Sequence, residues 1–404
     1  MIKGIQPDDA RDMLYNLPAS PKTETVAVIT ALGRVMAADI HADIAIPPFD
    51  RSPFDGYAFR GEDTAAATRE TPVTLKITEE LPAGTVPTID ITPGHAAKIL
   101  TGAPIPTGAD CTIKYEVTEF TDTEVKIFAP VAPGSDIVYA GEDVKLGTPI
   151  AKRGDVITPP LMGLLASIGH AEVEVFKPPR AALVNTGAEV VEPGNPLPFG
   201  KIFNSNASTL SGYLRRQGIE LYNAGVVDDD PALIAERIKM NIADNDLIIT
   251  TGGASVGDYD CAIRAAELLG AEILFWKAQI KPGGAAVAAV LDGKLILSLS
   301  GNPGGAIMFL LRCAMPYIRK LCGRSSCFPE SIEVYLKHRF DKLSERSRLL
   351  RGQLEIIDGK AYFAEYGAQG GGDISSFVVA DLLAEIAADS APLPAGTLVK
   401  AWRL

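Results

Sequence analysis

The residues best suited to chemistry in this chain lie in a glycine-rich stretch at 246–260. Its apolar run 247–250 predicts a strand buried on both faces, and a helical spacing follows over 261–269. The turn between them carries three glycines and a serine: Gly252, Gly253, Ser255 and Gly257. Glycine lets an anion approach the backbone, and the first turn of a helix offers unpaired N–H groups with a favourable dipole. The stretch therefore predicts an anion-binding turn, with an ordinary strand-to-helix turn as the alternative.

Polar turns of the same kind follow other predicted strands. They are Asn185-Thr186-Gly187, Asp228-Asp229-Asp230-Pro231 and Gly301-Asn302-Pro303. The glycine-rich stretch has neither the dinucleotide-binding nor the P-loop spacing, so neither nucleotide fingerprint applies. Where several parallel strands end in special turns, the turns form a ligand crevice at the carboxyl edge of the sheet. We therefore expect these turns to meet at one edge.

Acidic residues stand at or beside several glycine and proline turns. They are Asp55, Asp136, Glu189, Asp229 and Asp260. Grouped in a cleft, such carboxylates would suit Mg²⁺, which takes oxygen ligands and shares them with substrate phosphates. The alternative is purely local, with Asp230 and Asp260 capping helices and the Asp-Gly pairs forming turns.

Two basic groups complete the candidates for chemistry. Lys277 and Lys281 bracket Ala-Gln-Ile after a predicted strand, and Pro282 and Gly283 follow. Two ammonium groups at the mouth of an α/β sheet suit a phosphate or another oxyanion. The alternative is a pair of solvated lysines that binds no ligand. The second group is Arg351 with the later glycines 370–372, which fits either an anion cradle or a mobile loop.

The elements that must position these residues fall into three kinds of segment. Alternating strands and helices from about 180 to 321 predict an α/β domain, in which Asp292-Gly293 marks a hairpin. Residues 71–138 alternate short strands with prolines, as a small β barrel or sandwich does. A dense loop at 47–58 precedes them, and the tail from 330 onwards returns to short strands.

Composition narrows the classes of protein. The chain has 404 residues, 47% hydrophobic and 22% charged, which predicts a globular protein of two to four domains. A net charge of −12 argues against broad binding of nucleic acid or of an anionic membrane surface. Five scattered cysteines and four histidines share no metal-ligand spacing. Without an apolar span or a signal sequence, we expect a cytoplasmic protein.

Segments spread over most of the chain resemble the MoeA family, the molybdopterin molybdotransferases that include the E domain of gephyrin. The matching segments include Pro-Pro-Phe-Asp-Arg-Ser-Pro-Phe-Asp-Gly-Tyr-Ala (47–58), Leu-Thr-Gly-Ala-Pro-Ile-Pro-Thr-Gly-Ala-Asp (100–110), Asn-Thr-Gly-Ala-Glu (185–189), Thr-Gly-Gly-Ala-Ser-Val-Gly-Asp-Tyr-Asp (251–260), Ile-Lys-Pro-Gly (280–283) and Ser-Gly-Asn-Pro (300–303). The sequence departs from the family pattern at Pro53-Phe54, Gly284-Ala285, Ser300, Gly304-Gly305 and Ala188, and a serine of the C-terminal domain is replaced within 370–372.

The resemblance implies a multidomain α/β plus β fold and an elongated homodimer. Its parts would be a three-layer molybdopterin-binding α/β domain (1–24 with 177–327), a linking domain (25–44 with 141–176), a β-rich insertion (45–140) and a C-terminal β-barrel-like domain (328–404). The implied reaction cleaves adenylylated molybdopterin, releases AMP and inserts molybdate into the dithiolene. A catalytically weak molybdopterin-binding carrier or scaffold, and an enzyme that inserts tungstate, are the alternatives.

The resemblance also implies site residues, cofactors and partners. Catalytic positions would be Asp55, Glu189, Asp229, Asp260, Lys277 and Lys281. Positions that contact the cofactor would be Thr101, Asp136, Thr186, Gly252, Gly253, Ser255, Gly257, Pro282, Gly283, Gly301, Asn302, Pro303 and Arg351. Mg²⁺ would be held by Glu189, Asp229 and Asp260. The implied partners are a molybdopterin adenylyltransferase and molybdoenzyme maturation factors.

Overall fold

The computed structural model describes residues 1–253, 261–390 and 392–404. Its central element is a mixed sheet of seven strands, in the order Ile2–Ile5, Glu272–Ala278, Ala286–Leu291, Lys294–Leu299, Leu247–Thr251, Arg180–Thr186 and Glu220–Val227. Ala286–Leu291 is antiparallel to both of its neighbours, and the other neighbouring strands pair in parallel. Six strands therefore end at the same edge of the sheet.

The order of the strands reverses beside Arg180–Thr186. From this strand the chain crosses to its neighbour Glu220–Val227, and then returns to Leu247–Thr251 on the opposite side. Open α/β sheets bind ligands outside the carboxyl ends of the two strands at such a reversal. The topology therefore places the ligand crevice between the ends of Arg180–Thr186 and Leu247–Thr251.

Helices cover both faces of this sheet and give the domain three layers. Pro7–Tyr15, Ser205–Arg215 and a long helix from Pro303 to Leu321 pack on one face. Pro231–Ile242 and Cys261–Leu268 pack on the other. The long helix consists of Pro303–Phe309, a π-helical segment Leu310–Ala314 and Met315–Leu321. Pro316 lacks a backbone N–H, so it cannot make the regular bond one turn back, and the π segment lies just before it.

The insertion predicted to be β-rich forms a second sheet. Its strands, in order, are Cys111–Lys114, Gly56–Phe59, His95–Ile99, Val73–Leu81, Glu124–Ile127 and Thr118–Phe120. The prediction of a loop through residue 58 was wrong, because Gly56–Phe59 is an interior strand of this sheet with all four residues buried. Tyr57 and Phe59 are part of its hydrophobic core. Short 3-10 turns lie at Gly61–Thr64 and Tyr115–Val117.

Segments on either side of the insertion pack together beneath it. Thr23–Ala27 pairs with Glu172–Phe176, and Ile40–His41 pairs with Pro149–Ala151. A 3-10 turn, Val28–Thr30, and the helix Pro159–Ser167 complete the unit. Thr158 caps this helix by accepting a hydrogen bond from the Leu161 N–H.

The C-terminal region is a closed barrel of five strands. In chain order they are Ser331–Leu336, Ser347–Ile357, Lys360–Glu365, Leu382–Ile386 and Leu398–Arg403. Pairing of Ser347–Ile357 with Leu382–Ile386 closes the ring. A short strand of the α/β domain, Ile280–Lys281, pairs with the start of Ser347–Ile357 and ties the barrel to the site edge. In the sequence, the helix Ser376–Val379 follows the third barrel strand and precedes the fourth.

The fold class predicted from the sequence is confirmed by these sheets. The hairpin at Asp292-Gly293 is also confirmed, because both residues have positive φ, as a type I′ turn requires. Several strands were missed in the sequence, among them Ile2–Ile5 and Leu382–Ile386. The proposed domain boundaries remain predictions. In the part of the chain that the structure describes, helices fall short of the length and hydropathy that a membrane span needs.

Arg312 links the α/β domain to the barrel. Its side chain is only 5% exposed and donates hydrogen bonds to Asp8 (2.7 Å) and to Glu385 (2.9 Å). Asp8 belongs to the first helix, and Glu385 belongs to the barrel strand Leu382–Ile386. Three elements from distant parts of the sequence therefore meet at one guanidinium group.

We predict that Arg312→Ala lowers the free energy of unfolding by about 3 kcal/mol, because it leaves the nearly buried Glu385 carboxylate unpaired. Urea denaturation measures this change. Arg264→Ala is the control, since its ion pair with Glu267 is exposed on both sides and should contribute less than about 1 kcal/mol. Equal effects of the two substitutions would contradict the linking role of Arg312.

Candidate functional site

Three of the predicted turns meet where the strand order reverses. Gly252, with a φ of 88°, lies so close to Thr186 that a Cβ atom on it would stand 2.5 Å from the Thr186 carbonyl oxygen. A Cβ atom on Gly301 would stand 3.3 Å from the Gly252 Cα. Glycine is needed at Gly252 for both its conformation and this close approach. The turns line a small cavity of about 90 Å³, and Gly253 and Pro303 also contribute to its wall.

Two carboxylates stand at the mouth of this cavity, which we call the edge pocket. Asp229 accepts a hydrogen bond from the Thr186 hydroxyl at 2.8 Å. Glu189 lies beside Gly187, where a Cβ atom would stand 2.8 Å from its Oε2. Both carboxylates are exposed and line the pocket. Asp230 has the alternative role of a helix cap, because it accepts hydrogen bonds from the Ala232 and Leu233 N–H groups. Asp229 does not cap this helix.

The donor set fits Mg²⁺ in its common protein setting. That ion is held by one or two carboxylates and completes its shell with water and substrate phosphate oxygens, which matches Glu189 and Asp229 at an open pocket. Within the described ranges, no group of three or more His, Cys, Asp or Glu side chains is arranged to hold a metal ion. Asp260, the third predicted ligand, lies outside the described residues, as do Ser255 and Gly257.

Three buried amides line the edge pocket, and two of them, Asn204 and Asn206, were missed in the sequence. The Asn185 amide donates to the Thr251 hydroxyl (2.6 Å) and accepts from Asn204 (3.1 Å). The Asn206 amide nitrogen donates to the Gly301 carbonyl (2.8 Å), whereas its Oδ1 is buried with no hydrogen-bond partner among the described residues. A buried acceptor left without a donor costs stability, so Asn206 is suited to receive an N–H group of a ligand. The signal in the sequence was Asn-Ser-Asn at the start of a helix, where Asn204 is the N-cap.

A second and larger cavity lies between the α/β domain and the barrel. This basic cleft has a volume of about 830 Å³ and is lined by four cations, Lys281, Lys342, Arg346 and Arg348, against one acid, Glu345. Among the other lining residues are Pro282, Gly283, Ser300, Asn302 and Gln369–Gly371. The Nε atom of Arg348 is buried without a hydrogen-bond partner in the described part of the chain. The cleft therefore suits an oxyanion.

One turn separates the edge pocket from the basic cleft. In the segment 300–303, Gly301 and Pro303 line the edge pocket, while Ser300 and Asn302 line the cleft. The Ser300 hydroxyl accepts from the Asn302 N–H at 3.2 Å and so stabilises the turn. A ligand that reached across this turn would present one end to the carboxylates and the other to the cations.

Lys277 lies near this region in an uncommon backbone conformation. Its φ is 65°, which is rare for a long side chain outside functional or tightly constrained sites. Its ammonium group lies 4.1 Å from the centroid of the Trp276 ring. Lys277 is absent from the described lining of the basic cleft, whereas Lys281 is present.

Arg351, which is predicted to contact a ligand, is enclosed by the protein, and the predicted contact remains a prediction. Arg351 is fully buried, and its guanidinium donates to the carbonyls of Ala368, Gly370 and Asp373 at 2.9–3.3 Å. Its role is to hold the glycine loop at 368–373 against the long helix. Burial lowers the pKa of Arg351, and its Nε atom is buried without a hydrogen-bond partner among the described residues.

Gly304, one of the departures from the family pattern, lies against the loop of 368–373. A Cβ atom on Gly304 would stand 2.8 Å from the Gly371 carbonyl oxygen and 2.9 Å from that of Asp373. Gly305 donates its N–H to the Gly371 carbonyl at 3.1 Å. The glycine at 304 therefore lets the loop of 368–373 lie directly on the helix.

We predict that Gly304→Val lowers the free energy of unfolding by about 1–3 kcal/mol, because the loop must move to make room. Thermal denaturation of the full chain measures the change. Gly212→Val is a matched control, since Gly212 is also helical and a Cβ atom on it would meet no described atom within 4 Å. If Gly304→Val costs no more than the control, the loop has another conformation.

The predicted residues of the insertion form a separate group. The Asp55 carboxylate accepts from both the N–H and the hydroxyl of Thr101, each at 2.7 Å. Asp136 has a φ of 55°, and its carbonyl accepts from the Thr112 hydroxyl at 2.5 Å. Asp55 and Thr101 are exposed, and Asp136 lies on the same insertion. Within the described residues, the lining of the edge pocket does not include any of these three.

The two hydrogen bonds from Thr101 lower the pKa of Asp55, the backbone bond being the larger cause. A carboxyl group whose pKa is lower in the folded state than in the unfolded state stabilises the protein at pH values above its unfolded-state pKa. This contribution is lost as the pH falls through the folded-state pKa. We predict that Thr101→Val, which removes the hydroxyl donor, raises the pKa of Asp55 towards its usual value. A titration of the carboxyl resonance by NMR checks this, and an unchanged pKa would contradict it.

Comparisons with known proteins agree with this architecture. Residues 5–169 match the MoeA N-terminal region (domain I and II), residues 182–320 a probable molybdopterin binding domain, and residues 333–404 the MoeA C-terminal region (domain IV). The chain is 31% identical over 391 residues to the molybdopterin molybdenumtransferase of Staphylococcus aureus (strain COL), covering 97% of this chain and 93% of that protein. The same named protein of Staphylococcus epidermidis is 31% identical over 369 residues, 91% of this chain and 88% of its own length.

A solved structure shows the same fold over the whole length. The crystal structure of the molybdopterin biosynthesis MoeA protein from Pyrococcus horikoshii has a TM-score of 0.84 and 30% identity to this chain, and the match covers 99% of each. The structural and sequence matches agree in family and in extent. The chain therefore belongs to the MoeA family.

Proposed function

We propose that this chain is a molybdopterin molybdenumtransferase, which cleaves adenylylated molybdopterin, releases AMP and transfers molybdenum from molybdate to the dithiolene. The observation that carries the proposal is the position of an acidic edge pocket beside a basic cleft, with only the 300–303 turn between them. The substrate carries phosphates that need charge neutralisation at one end and a dithiolene that must meet an oxyanion at the other.

The edge pocket supplies binding and orientation. Asn206 offers to an N–H group of the substrate an Oδ1 atom that no described residue contacts by a hydrogen bond, and the backbone at Gly252 and Gly253 gives the phosphates close approach. Glu189 and Asp229 would hold Mg²⁺, together with Asp260; when bound, the ion neutralises charge on the phosphates. Thr186 fixes the orientation of the Asp229 carboxylate. Glu189 is exposed at the mouth and is placed to orient an attacking water molecule.

The basic cleft holds the oxyanion in this proposal. Lys281, Arg346 and Arg348 present positive charge from two domains, and the Ser300 hydroxyl is a further polar group on the wall. Arginine and lysine bind tetrahedral oxyanions through charge-assisted hydrogen bonds. Lys277 contributes from its strained position at the end of the strand Glu272–Ala278, as the sequence predicts for both lysines. Pro282, Gly283 and Asn302 shape the wall.

The active unit would be a cytoplasmic homodimer. Asp55, Thr101 and Asp136 lie in the insertion, apart from the edge pocket, so they would act on the pocket of the partner subunit. A twofold dimer would then carry two identical shared clefts. The adenylylated substrate would arrive from a molybdopterin adenylyltransferase, and molybdoenzyme maturation factors would receive the product.

A catalytically weak carrier or scaffold is the second candidate. It is favoured by the withdrawal of Arg351 into the protein and by the altered residues around Gly304. Tungstate insertion would use the same cleft, because tungstate has the charge and shape of molybdate. The three candidates differ in what they do with bound substrate, so one experiment can distinguish them.

The experiment is reconstitution of an apo molybdoenzyme. The purified chain is incubated with adenylylated molybdopterin, Mg²⁺ and molybdate, and the mixture is then added to the apoenzyme. The proposal predicts enzyme activation that depends on molybdate and is weaker with tungstate. A carrier would bind the adenylate and leave the apoenzyme inactive, and activation by tungstate alone would favour the third candidate.

A further inference from the structure

A cavity that shares no described lining residue with the edge pocket or the basic cleft is not used by the proposed reaction. This rear cavity has a volume of about 270 Å³ and lies between the ends of two helices and the barrel, with Tyr213, Met315, Phe328 and Trp402 in its wall. The long helix lines the edge pocket at Pro303 and the rear cavity at Met315. Twelve residues of helix span about 18 Å, so the two cavities are separate.

Positive charge is concentrated around the rear cavity. Its lining contains six basic residues: Arg11, Arg216, Arg312, Arg319, Lys400 and Arg403. The chain as a whole carries a net charge of −12. A basic cluster on an acidic protein is a local feature that marks a site for an anion.

Acidic neighbours neutralise only part of this cluster. Arg312 pairs with Asp8 and Glu385, and Arg11 pairs with Asp8 and Asp12. The structure, over the ranges it describes, gives no ion pair to the other four cations.

Arg319 is the most enclosed of those four cations. Its hydrogen bonds to described residues, the Gln217 side chain and the Cys327 carbonyl, are 3.3 Å each. Burial lowers its pKa, and the charge of Arg324 lowers it further. A half-buried guanidinium held beside another cation gains stability from any anion that binds it.

An adjoining cavity is lined by three arginines, Arg319, Arg324 and Arg403, and by two acids, Asp155 and Glu330. It has a volume of about 410 Å³ and shares Arg319, Phe328 and Arg403 with the rear cavity. The Nε atom of Arg324 is buried without a hydrogen-bond partner among the residues described. A buried donor in this state is an independent sign of an acceptor that the protein alone does not supply.

The remaining wall of the rear cavity is aromatic and apolar. The Arg11 guanidinium lies 5.4 Å from the centroid of the Phe328 ring, and that of Arg312 lies 4.9 Å from the centroid of the Trp402 ring, so each aromatic ring in the wall is paired with a planar cation. Tyr213, Met315 and Leu383 contribute apolar contacts. Flat aromatic and guanidinium surfaces stack well on a planar ring.

We propose that the rear cavity binds a small anion that carries a planar ring, of the chemical class of a nucleoside monophosphate. The ring would lie between the aromatic walls, and the phosphate would contact Arg216, Arg319 and Arg403. The volume of the rear cavity is near the lower end of the range for ligand pockets. It suits one ring and one phosphate and is too small for a dinucleotide. Binding at this cavity does not depend on the proposed reaction.

The test uses Trp402 as a reporter. The chain contains two tryptophans, so Trp276→Phe leaves Trp402 as the single source of tryptophan fluorescence. AMP, adenosine and inorganic phosphate are titrated separately into this variant of the full chain. We expect a saturable change in Trp402 emission with AMP, and at least tenfold weaker binding of adenosine and of phosphate.

Charge variants then locate the binding. In the same background, Arg319→Gln and Arg216→Gln should each weaken AMP binding at least tenfold, whereas Arg69→Gln, an exposed cation of the insertion, should not change it. Arg216 is exposed, so its substitution tests the idea even if Arg319→Gln is unstable. Absence of a saturable signal with AMP, equal affinity for phosphate and AMP, or unchanged binding by Arg216→Gln would overturn the proposal.

Discussion

Replacing Asp229 with alanine should reduce AMP release by about 100-fold or more while the fold remains intact. The side chain is exposed, and its one hydrogen bond to a described residue comes from Thr186. Its loss therefore leaves the core unchanged. In the proposed reaction it removes a carboxylate that holds Mg²⁺ on the phosphates, and charge neutralisation of that kind is worth several kcal/mol in phosphoryl chemistry. Each tenfold change in rate corresponds to about 1.4 kcal/mol.

The neighbouring residue provides a matched control. Asp230 has the same charge and similar exposure, and it caps the helix Pro231–Ile242. Asp230→Ala should cost about 1 kcal/mol of stability and leave AMP release near the wild-type rate. The rate is measured by following AMP, and stability by thermal denaturation. If Asp229→Ala retains turnover, or if both variants lose it equally, the assignment of Asp229 is wrong.

Chains carrying Asp55→Ala and chains carrying Asp229→Ala should each be inactive alone and regain activity when mixed in one dimer. Asp55 belongs to the insertion, and Asp229 belongs to the edge pocket of the α/β domain. If the insertion of one subunit completes the pocket of the other, a mixed dimer has one pocket with both substitutions and one with neither. Such a dimer should show about half of the wild-type activity.

Verified mixed dimers are obtained by co-expressing the two chains with different affinity tags and purifying over both. A mixed dimer of wild-type and doubly substituted chains is the control, because both of its pockets would lack one carboxylate. It should therefore be as inactive as the parents. Mixed dimers of the single variants that remain inactive would show that Asp55 and Asp229 do not act in a cleft shared in this way.

The sequence predicted the α/β domain well because its strands are strongly apolar and end in glycine, asparagine or aspartate turns. Ala286–Leu291 and Lys294–Leu299 form the predicted hairpin, since Asp292-Gly293 has the conformation that a tight turn needs. Gly56–Phe59 was hidden by the prolines that precede it, and by its length of only four residues. Short buried strands carry too little periodicity to be recognised alone.

The site was predicted in part. The turns at Thr186, Gly252 and Gly301 meet as expected, because parallel strands deliver their carboxyl ends to one edge. The surroundings of Arg351 could not be predicted from the sequence, because the sequence does not distinguish an arginine that binds a ligand from one that holds a loop. The basic cleft also brings in Lys342, Arg346 and Arg348, which come from the barrel and have no motif of their own.

The central claim is that the edge pocket and the basic cleft act as one catalytic site. The most direct test is release of AMP from adenylylated molybdopterin by the purified chain with Mg²⁺, measured with and without molybdate, and with Lys281→Gln in parallel. We predict that the wild-type chain releases AMP faster when molybdate is present, and that Lys281→Gln loses this dependence. Absence of AMP release by the wild-type chain under all of these conditions would contradict the claim.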